Sequence, residues 1–439
     1  MADGTPRPVD GTAPSPARHG ILTATYACIA RSGLARVTVE DAAKEAGVSR
    51  ATVYRHFPGG RDELVRETVG HEVGHFFLEL ADAVAGASSL AAVLEEALVH
   101  AHAAVADHEV LQKLLATEPD RLLPNLSVEA NRLLPRIADF LEPHLRRQPL
   151  RTGVDVAPAA EYVARMVLSL VGAPGRWDLT DRHEVAVLVR SEVLAGLVDL
   201  GVDQRPGCRG GGAETVGRIV AGVPPVEAEA AVAPHPGGVG RVGGDRVVDA
   251  ALTCLSRWGV GKTTLDDIAR EAGVSRATAY RLFPGGKDTV LDAVAATELA
   301  RFAESLGRRL DDADDLEALL VAGITHASRT LAAHDALTYL LAHEPEQVLP
   351  HVAFGRFDRV LAAAAALVAP HLVRFLDAEL ALRTGEWVTR LVISYVLSPS
   401  PSHDLSEEGS ARTFVRAHVL PGLVDTAAAP DPVPPTTRG

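Results

Sequence analysis

Apolar residues recur every three or four positions along most of this chain. Ile21, Leu22, Tyr26 and Ile29 keep that spacing, and so do Val247, Val248, Leu252 and Leu255. The runs 90–102, 131–145 and 161–171 continue it, broken by Pro or Gly. This is the period of a helix that turns one face to a core. No stretch alternates apolar and polar residues as a half-buried strand does. The pattern predicts an all-α protein.

The same pattern repeats on a larger scale. The letters GVSRAT run from Gly47 to Thr52 and again from Gly273 to Thr278. Laid together, VTVEDAAKEAGVSRATVYRHFPGGRDELV (37–65) and TTLDDIAREAGVSRATAYRLFPGGKDTVL (263–291) agree at more than half of their positions. One offset also matches Glu118-Pro119 with Glu344-Pro345, Pro124 with Pro350, and Gly196-Leu197-Val198 with Gly422-Leu423-Val424. A period of domain length means a complete unit present twice, not a solenoid. The chain, at 439 residues, also exceeds one ordinary core.

The repeated motif has a local physical reading. Residues 39–46 form a short amphipathic helix with Ala42, Ala43 and Ala46 on one side and Thr38 placed to cap its start. Gly47 can take the left-handed conformation that ends it. Val48 plugs the angle between helices, and Ser49 caps a second helix over 50–56. Helix, short Gly turn, helix is the helix-turn-helix arrangement. Near the open end of the second helix, Arg50 and Arg55 can fork onto guanine or phosphate oxygens. Small Ala51 admits the backbone to a groove, and Thr52 can meet a thymine methyl or a phosphate. Tyr54 offers a hydroxyl to a phosphate, while Phe57 packs inward. Pro58-Gly59-Gly60 stops the helix, and Arg61 opens the next one.

The run T-x-x-x-x-A-x-x-A-G-V-S-x-x-T-x-Y-x-x-F-P-x-x-x-x-L resembles the DNA-binding signature of TetR-family transcriptional regulators, and both halves carry it. The resemblance implies two TetR-like units, each a three-helix DNA-binding domain followed by a helical bundle for ligand and dimerisation. Thr38, Tyr54 and Arg61 then match phosphate-contacting positions, and Arg50, Ala51, Thr52 and Arg55 match groove-facing ones. In the second half these roles fall on Thr264, Tyr280 and Lys287, and on Arg276, Ala277, Thr278 and Arg281. Gly60 and Gly286 depart from the family's pattern, which often has a polar cap there. The expected organisation is an N-terminal arm (1–17), DNA-binding domain (18–66), bundle (67–200), Gly/Pro/Ala-rich linker (201–243), second DNA-binding domain (244–292), second bundle (293–426) and tail (427–439). Arm and tail are expected to be disordered, and 214–220 in the linker can form a turn of helix.

Members of the family work as two-fold dimers built on their last two helices. Here 182–200 and 409–424 are the expected last helices, paired with 161–171 and 386–397. The halves are expected to pack on each other as a pseudo-dimer reading a near-palindromic operator in double-stranded DNA. A flexible linker of about 40 residues spans roughly 35 Å and holds the halves at an effective concentration on the order of millimolar. A fused dimer of dimers, or another higher oligomer, is the rival assembly. The resemblance also places an effector cavity in each bundle, with His108, Glu118, Arg165, His343, Glu344 and Arg390 as candidate lining residues. A plainer reading makes the two Glu-Pro pairs helix starts. Ala, Val and Leu dominate the bundles, so a small apolar or amphipathic effector is expected.

Bulk chemistry narrows the classes. A net charge of −14 argues against indiscriminate binding along nucleic acid or anionic lipid but leaves room for a local basic surface. Cys28, Cys208 and Cys254 lie far apart without metal or disulfide spacing. Cys28 and Cys254 occupy matching apolar stretches and are expected to be buried thiols. No signal core or membrane span is legible, and a cytoplasmic location is expected. One stretch points elsewhere: HEVGH, His71 to His75, fits a zinc-protease pattern, with Glu72 as base and Glu95 or Glu96 within reach as a third ligand. The second half carries Thr297-Glu298-Leu299-Ala300-Arg301 at that place, so the repeat does not need the motif. The reading is a regulator without cofactor, metal or enzymatic activity. The alternatives are a helical interaction or ligand-binding protein that has lost DNA binding, and a zinc-dependent hydrolase.

Overall fold

The computed structural model describes residues 16–199, 238–351 and 355–427. Most of the expected arm, tail and linker, including Cys208 and 214–220, lie outside the described residues. The first half contains α1 (Pro16–Ser32), α2 (Val39–Glu45), α3 (Arg50–His56), α4 (Gly60–Val84), α5 (Leu90–Asp107), α6 (Glu109–Thr117), α7 (Pro119–Leu145), α8 (Val156–Gly172) and α9 (Arg182–Leu188), which runs on through a π turn (Val189–Val193). The second half repeats the order with α10 (Gly238–Lys262), α11 (Leu265–Glu271), α12 (Arg276–Leu282), α13 (Lys287–Asp311), α14 (Leu316–Ala332), α15 (Asp335–His343), α16 (Gly355–Leu372), α17 (Ala378–Leu397) and α18 (Glu408–Phe414), again followed by a π turn (Val415–Val419) and then α19 (Leu420–Ala427). Among the described residues the only β pairing is a single bridge, Leu150 with Val198. The fold is all-α, in two TetR-like copies.

The first helices start earlier than the expected domain boundaries, at Pro16 and Gly238. The copies also differ after their sixth helix. Where α7 is continuous, the second half has 3-10 turns at Pro345–Gln347 and Leu349–His351 before α16. No helix among the described residues is long and apolar enough to cross a membrane.

Packing divides the chain into two compact units, Met1–Asp82 with Ala104–Glu129, and Ala83–Ala103 with Ala130–Gly439. In the first unit Ile21, Leu22, Ala42, Val53, Phe57 and Leu64 form the core beneath α1–α4. Each of the larger side chains contributes roughly 1.5–3 kcal/mol of burial. A neighbouring cluster joins Cys28, Ile29, Leu34 and Val65 to Leu114 and Leu122. In the second unit Val247, Ile268, Ala279, Phe283 and Val290 build the matching head core. A larger cluster there draws on both halves, Tyr162, Leu170 and Leu188 packing with Trp387, Leu391 and Phe414. Cys28 and Cys254 are buried free thiols, and burial pushes both up from the ordinary thiol range.

Candidate nucleic-acid interface

Each reading head is built from local signals. Thr38 caps α2 by accepting from the Asp41 amide (3.1 Å), and Asp41 reaches back to the Thr38 amide (3.2 Å). Thr264 and Asp267 make the same box at α11. Ser49 accepts from the Thr52 amide (3.1 Å) and Ser275 from that of Thr278 (3.1 Å), fixing the start of each second helix. Gly47 and Gly273 take φ of 66° and 64° in the turns between. A side chain at either would sit in the left-handed region that costs L residues about 1 kcal/mol or more. Gly60 and Gly286, where the signature departs, are also at positive φ, 67° and 74°. The turn after Phe57 or Phe283 therefore requires glycine, and a polar cap there would be strained.

The second helices expose matching faces. Arg50, Ala51, Tyr54 and Arg55 point to solvent, with Thr52 half-buried, and Arg276, Ala277, Tyr280, Arg281 and Thr278 repeat this. Val53 and Ala279, which differ between copies, are fully buried in their head cores. His56 and Leu282, which also differ, are half-buried. One of the two differences is thus wholly buried and the other half-buried, and the exposed residues of the two helices are the same. Arg50 pairs with Glu40 (3.2 Å) and Arg276 with Asp266 (3.0 Å). Sequence reasoning missed these acids, although they hold equivalent positions at the start of α2 and α11. Such exposed pairs contribute about 0–1 kcal/mol, so they orient the guanidinium and yield to a stronger anion.

Arg61 and Lys287 are engaged differently from the other expected contacts. Arg61 donates to the Val37 carbonyl (2.9 Å) and the Leu34 carbonyl (2.5 Å). Lys287 donates to the Val260 carbonyl (3.0 Å). Both cations stitch the base of α4 or α13 to the turn ahead of the helix-turn-helix.

The model of bacterial regulatory proteins of the tetR family matches residues 21–68 and again 247–294. The chain thus carries the tetR-family DNA-binding domain in two tandem copies. An uncharacterized HTH-type transcriptional regulator of Mycobacterium tuberculosis, MT2310, is 33% identical over 118 residues, which is 27% of this chain and 60% of that protein. The chain thus spans less than two thirds of that relative. A second one from the same species, MT1294, is 25% identical over 185 residues, 42% of this chain and 87% of the relative. A solved structure described as a SmeT–triclosan complex is 25% identical with a TM-score of 0.29, covering 42% of this chain and 93% of that one.

Each of the six candidates for a TetR-type effector pocket has a partner within its own unit. His108 caps α6, its Nδ1 accepting from the Leu111 amide (3.0 Å). Its structural counterpart is His334, which accepts from the Leu337 amide (3.1 Å). His343 is exposed at the end of α15, its ring 4.5 Å from that of Tyr339. Glu118 and Glu344 follow α6 and α15 and turn toward their own heads. Glu118 accepts from the Ala35 amide (2.6 Å), and Glu344 from the amides of Val260 (2.7 Å) and Gly261 (3.2 Å).

Arg165 and Arg390 lie where the C-terminal helices of the two halves meet. Arg165, buried on α8, is ion-paired to Glu161 (2.6 Å) and donates to the carbonyls of Ser394 (3.1 Å) and Ser398 (2.6 Å) at the end of α17. Arg390, buried on α17, returns the contact. It pairs with Glu386 (3.0 Å) and donates to the Ser169 hydroxyl (3.2 Å) and the Ala173 carbonyl (2.6 Å) at the end of α8. A guanidinium at the carbonyl end of a helix is favourable in both charge and hydrogen bonding. Burial pushes the Glu386 carboxyl up, opposed by Arg390. Tyr162 and Trp387 meet edge to face with ring centroids 6.2 Å apart. A Cβ on Gly196 would stand 2.5 Å from the His418 carbonyl oxygen, and one on Gly422 would stand 3.2 Å from the Ala195 Cβ. The two arginines thus make reciprocal contacts, each with the end of the other's helix, as residues across an isologous interface do.

The symmetry is incomplete: Arg383 of α17 pairs with Glu192 (2.9 Å) without a counterpart in the first half, and one ring cluster is asymmetric. His418 occupies the place of Glu192, stacks on Tyr162 (4.9 Å) and lies 5.7 Å from His403. Burial first, then His403, holds the His418 imidazole down to about 3.

The HEVGH residues lie on α4, where His75 pairs with Glu79 (3.3 Å). Glu95 and Glu96 are bound to Arg190 (3.3 Å) and Arg182 (2.5 Å). No group of three or more His, Cys, Asp or Glu side chains among the described residues is arranged to hold a metal ion.

Proposed function

We propose that this chain is a sequence-specific DNA-binding transcriptional regulator, a repressor released by a small apolar or amphipathic effector. Its halves act as an intramolecular pseudo-dimer on a near-palindromic operator. The observation that carries the reading is the pair of capped, glycine-turned heads presenting the same exposed residues, Arg50, Ala51, Thr52, Tyr54 and Arg55 and their counterparts. The family match at both heads supports it. The reciprocal Arg165 and Arg390 contacts support the pseudo-dimer.

In this mechanism the N-terminal turns of α3 and α12 enter successive major grooves, about 34 Å apart on B-form DNA. Arg50 and Arg276 exchange their acidic partners for guanine or phosphate oxygens, and Tyr54 and Tyr280 hydrogen-bond to phosphates. Arg61 and Lys287 act from behind by stiffening the turn before α2 or α11. An effector releases DNA only if it binds the splayed arrangement more tightly than the reading one. Because the differing residues 53/279 and 56/282 are wholly or half buried, both half-sites carry the same core sequence.

Selection of bound duplexes from a random pool, followed by footprinting, tests this. The expected winner has two inverted half-sites about one helical turn apart, and scrambling either one weakens the mobility shift. Failure to enrich any sequence would remove the DNA-binding reading. Enrichment of a lone half-site would remove the pseudo-dimer.

A further inference from the structure

We infer that Glu118 and Glu344 are positioning residues for DNA reading, carboxylate tethers through which the segment after α6 or α15 sets the pose of its own head. The inference rests on the proposed DNA binding. The turn between α1 and α2 holds amides that no helix satisfies. Glu118, fixed at the junction of α6 and α7, takes one of them at Ala35 (2.6 Å). Gly33 beside it sits at φ 85°, and a Cβ there would collide with the Glu118 carboxylate. On the same turn, Arg61 takes the Leu34 and Val37 carbonyls. Lys113 of α6 adds a bond to the Ala30 carbonyl at the end of α1 (3.0 Å). An anion from the α6 side and a cation from the α4 side thus grip one short turn, and that turn ends at Thr38, the cap of α2.

The second copy repeats the grip with changed residues around it. Glu344 takes the Val260 and Gly261 amides, Gly259 is at φ 76° where a Cβ would meet the carboxylate, and Lys287 replaces Arg61 on the Val260 carbonyl. The helices before the two glutamates read EVLQKLLAT and DALTYLLAH, so the surroundings have diverged while the carboxylate and its glycine have not. A hydrogen bond of this length is broken when either end shifts by about 1 Å. Movement at the junction of α6 and α7 therefore reaches α2 and α3 directly, without passing along α4.

The test uses the full chain with Glu118→Gln, Glu344→Gln and the double variant. Three readouts apply: thermal unfolding, footprinting on the selected operator, and amide hydrogen exchange over 33–38 and 259–264. Glutamine keeps the size and removes the charge and one acceptor. We expect melting to stay within a few degrees of the unsubstituted protein. Each single variant should lose protection at one half-site only and exchange faster only at its own turn, and the double variant should bind the operator at least ten-fold more weakly. Unchanged exchange and unchanged protection in the double variant would overturn the inference. So would equal loss at both half-sites from one substitution, which reports a general structural role. If the unsubstituted chain selects no DNA, the reading beneath fails instead, and the exchange measurement alone decides whether the tether exists.

Discussion

At the scale of single residues, charge and glycine geometry carry the account. Arg50 and Arg276 are exposed and paired with surface acids, and Arg276 also lies over the Tyr280 ring (5.5 Å). Replacing either with Ala should leave melting unchanged and weaken specific DNA binding by about 1–3 kcal/mol for each base interaction removed, measured by fluorescence anisotropy against a scrambled duplex. Equal affinity of the double variant for operator and scrambled DNA, with the unsubstituted chain still discriminating, would confirm the assignment. His418 makes a different demand. Its imidazole stays neutral when folded to about pH 3, whereas an unfolded histidine titrates near 6.5. The unfolded chain therefore binds more protons between those values, so stability falls as pH drops through that window. The expected loss is ~2 kcal/mol between pH 6.5 and 5, and thermal melts of His418→Gln should show that part of the pH dependence removed.

At the scale of elements, what could be read from sequence was what neighbours dictate. Thr38, Gly47 and Ser49 act on atoms a few residues away, so the caps and the left-handed turn follow from spacing alone. Val53 lies four residues before buried Phe57, a spacing that already marks it as inward-facing. Glu118, Arg165 and Arg390 were not legible in this way. Their partners lie 83, 229 and 217 residues off, and a charged residue on an apolar helix face looks the same whether it meets a ligand or another helix. The match of Gly33 with Gly259, and of Gly196 with Gly422, was a usable signal for close approach. The reciprocal arginines should be costly to remove. Arg165→Ala leaves Glu161 buried with one acceptor unpaired, and a loss of about 3–5 kcal/mol is expected in denaturant unfolding. Gly196→Ala should also destabilise, by about 1–3 kcal/mol, because its methyl meets the His418 backbone.

At the scale of the whole molecule, the proposed function places a two-fold dimer within one chain by duplication and fusion. The reciprocal arginine contacts between α8 and α17 support it. Tethering should make operator affinity independent of subunit association, so binding curves should be hyperbolic, without the steeper fall that dimer dissociation adds at low protein concentration. The asymmetric cluster of Tyr162, His403, Phe414 and His418 shows that the halves have not stayed equal inside their bundles, while their reading faces have. The most direct test is the stoichiometry of the complex with the selected operator, by light scattering or native mass spectrometry. One chain on one duplex, with both half-sites protected, is the expected result. Two chains on one duplex, each protecting a single half-site, would contradict the pseudo-dimer.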